Sequence, residues 1–218
     1  MASGWSANVR QAYDLALAGA IGAVIGLYLD TEFAQCSERL RQANDLWWVR
    51  DLLAGVTLGG AIGFTLNALE PLREGALRKF ARMASRGALA GAVGGGVGLI
   101  VGELVLDVLK GGLVGRAVSW SILGLGIGLS QGIASRSRQR LMFGMLGGGL
   151  GGFVGGFLFE WFREGFGSSY DPTVSQGVGI AILGGGLGLC LALVERALRR
   201  AWVQVLQGRQ EGRIYLLN

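Results

Sequence analysis

The chain has no histidine, and that absence removes a large part of enzymology at once. Histidine general bases, Ser-His triads and histidine-rich metal sites are all excluded. Cysteine is nearly as scarce: Cys36 reads as a loop residue and Cys190 as mid-helix, which gives neither a disulfide framework nor a metal spacing. Gly-Lys-Ser/Thr and HExxH are missing too, and the many Gly-x-Gly runs are not phosphate loops between strand and helix. We expect no enzyme, no cofactor and no metal site. The N-terminus lacks the basic region and small-residue cleavage site of a signal peptide, so no cleavage is expected. Charge is also thin, at 16% of residues where a soluble domain carries about 25%.

What is present is glycine, 41 residues of it, inside a chain that is 51% hydrophobic. Proline occurs only twice and glycine shows no period of three, so neither a disordered chain nor collagen fits. Glycine within a helix costs roughly 0.5–1 kcal/mol in water. In a bilayer it is tolerated, because backbone groups are bonded internally and small residues let helices approach closely. Uncharged runs at 15–29, 52–69, 87–102, 117–135, 141–159 and 173–194 give six membrane spans. A span needs about 20 residues, so the first and third must borrow from their flanks. The expected class is an all-α integral membrane domain over 1–200, followed by a tail at 201–218.

The 18 arginines against two lysines flank these runs, which orients spans and argues against nucleic acid. The N-terminus, 70–86, 135–140 and 195–218 together hold 14 Lys and Arg against 5 Asp and Glu. The opposite side holds 6 against 10. By the positive-inside rule both termini are expected in the cytoplasm, with the chain multi-pass in an inner or plasma membrane. Trp47, Trp48, Trp161, Phe162, Phe166 and Tyr170 fit interfacial anchors.

The odd spans share one pattern: LAGAIGAVIGLYLD from Leu17, LAGAVGGGVGLIVGE from Leu89 and LGGGLGGFVGGFLFE from Leu146. Their glycines align as Gly19/Gly22/Gly26, Gly91/Gly94/Gly98 and Gly148/Gly151/Gly155. The even spans share LGGAIGFT from Leu58, LGLGIGLS from Leu123 and LGGGLGLC from Leu183, aligning Gly59/Gly63, Gly124/Gly128 and Gly184/Gly188. The chain reads as three tandem helical hairpins (about 10–70, 78–136 and 138–200), which predicts pseudo-threefold symmetry and glycine-zipper packing. Glycines three and four apart share a helix face that a neighbouring backbone can enter.

Few polar residues remain as candidates for a pathway. Glu103 and Glu160 hold the same repeat position, five residues after Gly98 and Gly155; Thr31 falls there in the first hairpin, with Glu32 beside it. Carboxylates in spans can mark ion routes, or serve as structural groups at the outer interface. Thr65, Ser130 and Cys190 form a second matching set, able to ring a pathway or to bond their own helix backbone. Asn67 and Gln131 lie close by. On the basic side, 76–86 sets Arg78, Arg82 and Arg86 four residues apart, an interfacial helix for anionic lipid head groups.

The last residues, GRQEGRIYLLN at 208–218, resemble the opening strand of a forkhead-associated domain: a glycine followed by a short apolar strand. The resemblance implies a bacterial glycine-zipper membrane protein carrying such a domain in the cytoplasm, cut off here at Asn218 before any phosphothreonine-binding residue. The glycine patterns also resemble mitochondrial import translocase subunits, which have four spans. Mitochondrial carriers share the three hairpins, but their Pro-x-Asp-x-x-Arg signature is missing. Two functional readings follow: a channel or transporter for ions or a small solute, or a membrane scaffold. The scaffold would anchor a cytoplasmic signalling domain and associate with itself or a partner through the tail.

Overall fold

A computed structural model describes residues 2–36, 47–166, 172–198, 201–204 and 214–217. Six long helices account for nearly all of it: α1 (Ala2–Cys36), α2 (Trp47–Arg73), α3 (Leu77–Val108), α4 (Gly112–Ser135), α5 (Arg138–Phe166) and α6 (Pro172–Leu198). The shortest, α4, has 24 residues, about 36 Å at 1.5 Å per residue, against a hydrocarbon core of about 30 Å. All six are long and apolar enough to cross a membrane, and the fold is that of a multi-pass membrane protein. Two short strands follow, β1 (Ala201–Gln204) and β2 (Ile214–Leu217), paired antiparallel with Ala201 opposite Leu217.

The helices run past the uncharged stretches at both ends. The basic stretch at 76–86 is not a separate interfacial helix but the opening of α3, because nothing between Leu77 and Gly87 interrupts the turn pattern. Likewise Cys36 closes α1 instead of lying in a loop. Of the aromatic anchors, Trp48 and Trp161 are exposed; the side chains of Trp47, Phe162, Phe166 and Tyr170 lie outside the described residues.

Two tight turns explain how neighbouring helices stay close. After α2, Gly75 takes φ +66° and its successor Ala76 donates back to the Pro71 carbonyl at 3.1 Å. Between α4 and α5 only Arg136 and Ser137 intervene: Arg136 is left-handed (φ 54°), and Ser137 Oγ accepts from the Arg140 amide at 3.3 Å, capping α5.

Each helix packs against its sequence neighbours and α1 closes the ring against α6; α2 also touches α4 across the interior. Adjacent helices run antiparallel, so both ends of the helical part fall at one end of the bundle, called here the terminal end. The packing is inverted relative to a soluble protein. On α3 the buried positions include Gly87, Gly91, Gly95, Gly98 and Gly102, while Leu89, Val93, Val97 and Val101 stand exposed.

Backbone meets backbone at these glycines. A Cβ on Gly59 would strike the Gly91 carbonyl oxygen, one on Gly63 that of Gly87, and one on Gly55 that of Gly95. The α4–α5 seam repeats the arrangement with Gly124 on Gly148 and Gly128 on Gly144, and the α6–α1 seam with Gly184 on Gly19. Within hairpins, a Cβ on Gly26, Gly98, Gly151 or Gly155 would lie 2.5–2.9 Å from the Cα of Leu58, Leu123, Leu187 or Leu183. Gly22 and Gly94 meet Ile62 and Gly126 in the same manner.

These contacts leave no space for a side chain. Leucine at Gly94 or Gly151 is expected to abolish the monodisperse peak of the purified protein in detergent. Alanine at Gly177, where a Cβ meets nothing within 4 Å, is expected to be neutral or to stabilise by about 0.5–1 kcal/mol in thermal unfolding. Equal tolerance at both kinds of position would contradict the close approach.

Candidate functional site at the terminal end

The interior of the ring is apolar over most of its length. Ile62, Ile127 and Leu187, each completely buried, join Leu58, Leu66, Leu123 and Leu191 in one core cluster. Leu58, Ile62, Leu123, Ile127 and Leu187 each directly precede a packing glycine, so a helix that turns glycine to one neighbour turns a branched side chain inward, about 100° further round. The middle of the bundle is therefore filled.

At the terminal end the packing opens. A cavity of about 440 Å³ lies among α1, α2, α4, α5 and α6. Its floor is Leu15, Leu66 and Leu191, which belong to or pack against the core cluster. Its walls carry Gln11, Glu70, Arg73, Glu74, Gln131, Arg140 and Glu195, interleaved with Leu69, Phe143 and Gly144. Helix ends supply these groups because charge is cheap there, where the apolar run stops and water can reach.

Glu70 is the hub. It receives Arg140 Nη1 at 2.8 Å from α5 and Lys79 Nζ at 3.2 Å from α3. Lys79 also reaches Glu74 at 2.7 Å. Arg73 pairs with Asp14, joining α2 to α1, and Gln11 Nε2 donates to Glu195 at 3.3 Å, joining α1 to α6. The ion-pair partners are partly exposed, so the pairs add little to stability. Their importance is that they fix which charges face the cavity.

Of the eight candidate pathway residues, only Gln131 lines this cavity. Thr65 packs against Gly22 of α1, and its hydroxyl donates to its own helix at Ala61 and Ile62, both 3.1 Å. Ser130, fully buried, accepts from Asn67 Nδ2 at 3.3 Å; the same amide donates to the Gly63 carbonyl at 2.7 Å. Cys190 is a half-buried free thiol. None of Thr65, Ser130 and Cys190 borders this cavity.

The carboxylates lie at the other end of the bundle. Glu160 is 3% exposed, with Arg116 Nε at 3.5 Å. Glu103 is half-buried and shares its surroundings with Asp51, Asp107, Arg50 and the same Arg116. Glu32 is exposed. Arg78 and Arg82 are exposed on α3, and Arg86 is half-buried.

Sequence reasoning used Glu70, Arg140 and Glu195 only to orient the chain and passed over Gln11. One signal could have found them: Glu70 and Glu195 stand seven residues after Gly63 and Gly188, at corresponding places in two hairpins. Ser119 and Ser121 were missed as well. They sit two apart on α4 and donate to opposite neighbours, Gly102 O at 2.7 Å on α3 and Gly149 O at 2.8 Å on α5. Among the described residues no cluster of His, Cys, Asp and Glu could hold a metal ion. No protein family, curated protein or solved structure matches the chain.

The Asn67–Ser130 bond is the polar link across the interior between α2 and α4. Asn67→Ala is expected to destabilise the bundle by about 1–3 kcal/mol, the cost of a lost buried bond and an emptied site. In a double-mutant cycle with Ser130→Ala, unfolding in detergent should give a coupling of about 0.6 kcal/mol, the usual size between transmembrane helices. Zero coupling would reduce the contact to coincidence of placement.

Proposed function

We propose that this protein is a transporter of a small polar solute, which enters the cavity at the terminal end and is held short of the apolar core. The observation that carries this reading is a polar, charge-lined cavity that ends blindly on Leu15, Leu66 and Leu191. A filled interior behind a polar vestibule suits alternating access, in which one repeat rocks against another, better than an open channel.

The three-hairpin reading supports the same conclusion. The seams between hairpins pair Gly59 with Gly91, Gly124 with Gly148 and Gly184 with Gly19, the aligned positions of each pattern. Ile62, Ile127 and Leu187 are likewise matched, each preceding the second aligned glycine of an even span. A bundle with pseudo-threefold symmetry and glycine-zipper seams has its axis among the even helices, and the vestibule opens beside that axis. The charge asymmetry between the ends favours a cytoplasmic vestibule and cytoplasmic termini.

The second reading is a scaffold that holds a cytoplasmic domain of the forkhead-associated kind. The β1–β2 pair favours it, since strands directly after the last span suit the start of a folded cytoplasmic unit.

Uptake of radiolabelled ions and small polar solutes into liposomes containing the purified protein separates the two. The transport reading expects saturable uptake without single-channel conductance. Gln131→Leu should lower uptake about tenfold, the effect of losing one contact worth about 1.4 kcal/mol, while Glu103→Gln should leave it unchanged. Stepwise conductance would replace the transporter with a channel; the absence of uptake for every solute would favour the scaffold. Orientation is tested separately by cysteine labelling in intact cells, without Cys36 and Cys190. Lys110→Cys is expected to react with an impermeant maleimide and Ser137→Cys only after permeabilisation; the reverse pattern inverts the topology.

A further inference from the structure

A second pocket, of about 460 Å³, lies on the flank of the terminal end between the start of α3 and the α4–α5 turn. Four cations border it: Arg78, Lys79 and Arg82 from α3, and Arg140 from α5. The hydroxyl residues Ser135 and Ser137 complete the polar wall, and Glu70 is its single carboxylate. Glu70 already serves Arg140 and Lys79, whereas Arg78 and Arg82 have no carboxylate partner among the described residues. The lining therefore carries a surplus of positive charge inside a concave space, next to the N-terminus of α5. Helix N-termini and guanidinium forks both favour tetrahedral oxyanions.

The location says where such an anion would come from. Arg78 and Arg82 are exposed and continue the line of Leu89, Val93 and Val97, the stripe of α3 that faces outward. From Arg82 to Leu89 is about 10 Å along the helix axis. A group held by these arginines thus stands at head-group depth, immediately above side chains suited to acyl chains. We propose that this pocket is a binding site for the phosphate of an anionic membrane lipid. A basic helix face attracts any anionic surface; a pocket that adds Arg140, two serines and a helix N-terminus selects phosphate. Glu70 and Arg140 line both cavities, so an occupying phosphate competes with Glu70 for Arg140 and reaches the vestibule wall.

The test is native mass spectrometry of the purified full chain in neutral detergent, titrated with phosphatidylglycerol, with oleate as an anion lacking phosphate, and with inorganic phosphate. Phosphatidylglycerol is expected to be retained and oleate lost. The Arg78→Gln/Arg82→Gln double variant should weaken retention about tenfold, and Arg136→Gln/Arg138→Gln, equal in charge but outside the pocket, by less than about twofold. Arg82→Lys, which keeps charge and loses the planar fork, should fall between and serves if the double variant fails to fold. Equal losses in both double variants, equal retention of oleate, or no retention of phosphatidylglycerol would each overturn the site. Retention of inorganic phosphate in preference to the lipid would overturn its membrane origin.

Discussion

In a bilayer two helices gain nothing by hiding leucine from each other, because lipid tails are as apolar as the partner helix. What remains is dispersion between surfaces that fit, and it falls away within an ångström of lost contact. This bundle meets that constraint by bringing main chains together directly. At Gly59–Gly91, Gly63–Gly87, Gly124–Gly148 and Gly184–Gly19 one helix's carbonyl occupies the space where the other's side chain would begin. The exposed Leu89–Val93–Val97–Val101 stripe shows the other half of the bargain: large side chains go to lipid, where they have the most to touch. Everything else follows from that inversion.

One consequence is where polar chemistry can exist. Seams made of backbone leave room for few polar side chains, and those present bond to carbonyls: Asn67, set against Gly87, donates to the Gly63 carbonyl, and Ser119 and Ser121 donate to carbonyls across their seams. The inward faces are filled by Ile62, Ile127 and Leu187. Charge is thereby confined to the helix ends, and the cavities open where the close seams give out. The vestibule and the flank pocket share the Glu70–Arg140 pair because that pair stands where those seams end.

The sequence made much of this legible and some of it not. Six spans were readable because solvent change along the chain is written in composition. Spacing of three and four residues marks one helix face, and a Cβ at Gly19, Gly59, Gly91, Gly124, Gly148 or Gly184 would meet the backbone of a neighbouring helix. The polar residues were harder. Thr65, Ser130 and Cys190 share an offset of two from glycine, about 200° round the helix, but that offset does not say which groups the neighbouring helices place opposite them. Thr65 turned to the α1 seam and Ser130 to Asn67. Glu70 and Arg140 belong to helices that share no seam, α2 and α5, and their meeting depends on how the whole ring closes.

The first hairpin shows how a small departure in sequence shapes the cavity. Gly63 faces Gly87 and Gly128 faces Gly144, but Gly188 faces Leu15. The α6–α1 seam still closes there, because it is the Leu15 carbonyl that meets Gly188, and the leucine side chain is free to point elsewhere. It forms part of the vestibule floor. A glycine at 15 would keep the seam and deepen the cavity towards the core; leucine keeps the seam and sets the depth. Ala23 has a comparable place, contacting Gly184 where Gly95 and Gly152 stand in the other two seams, and its methyl group is wholly buried in the core cluster. The odd helix that departs most from glycine is thus the one whose side chains help to close the interior, so the same residues that loosen the pattern separate the vestibule from the middle of the bundle.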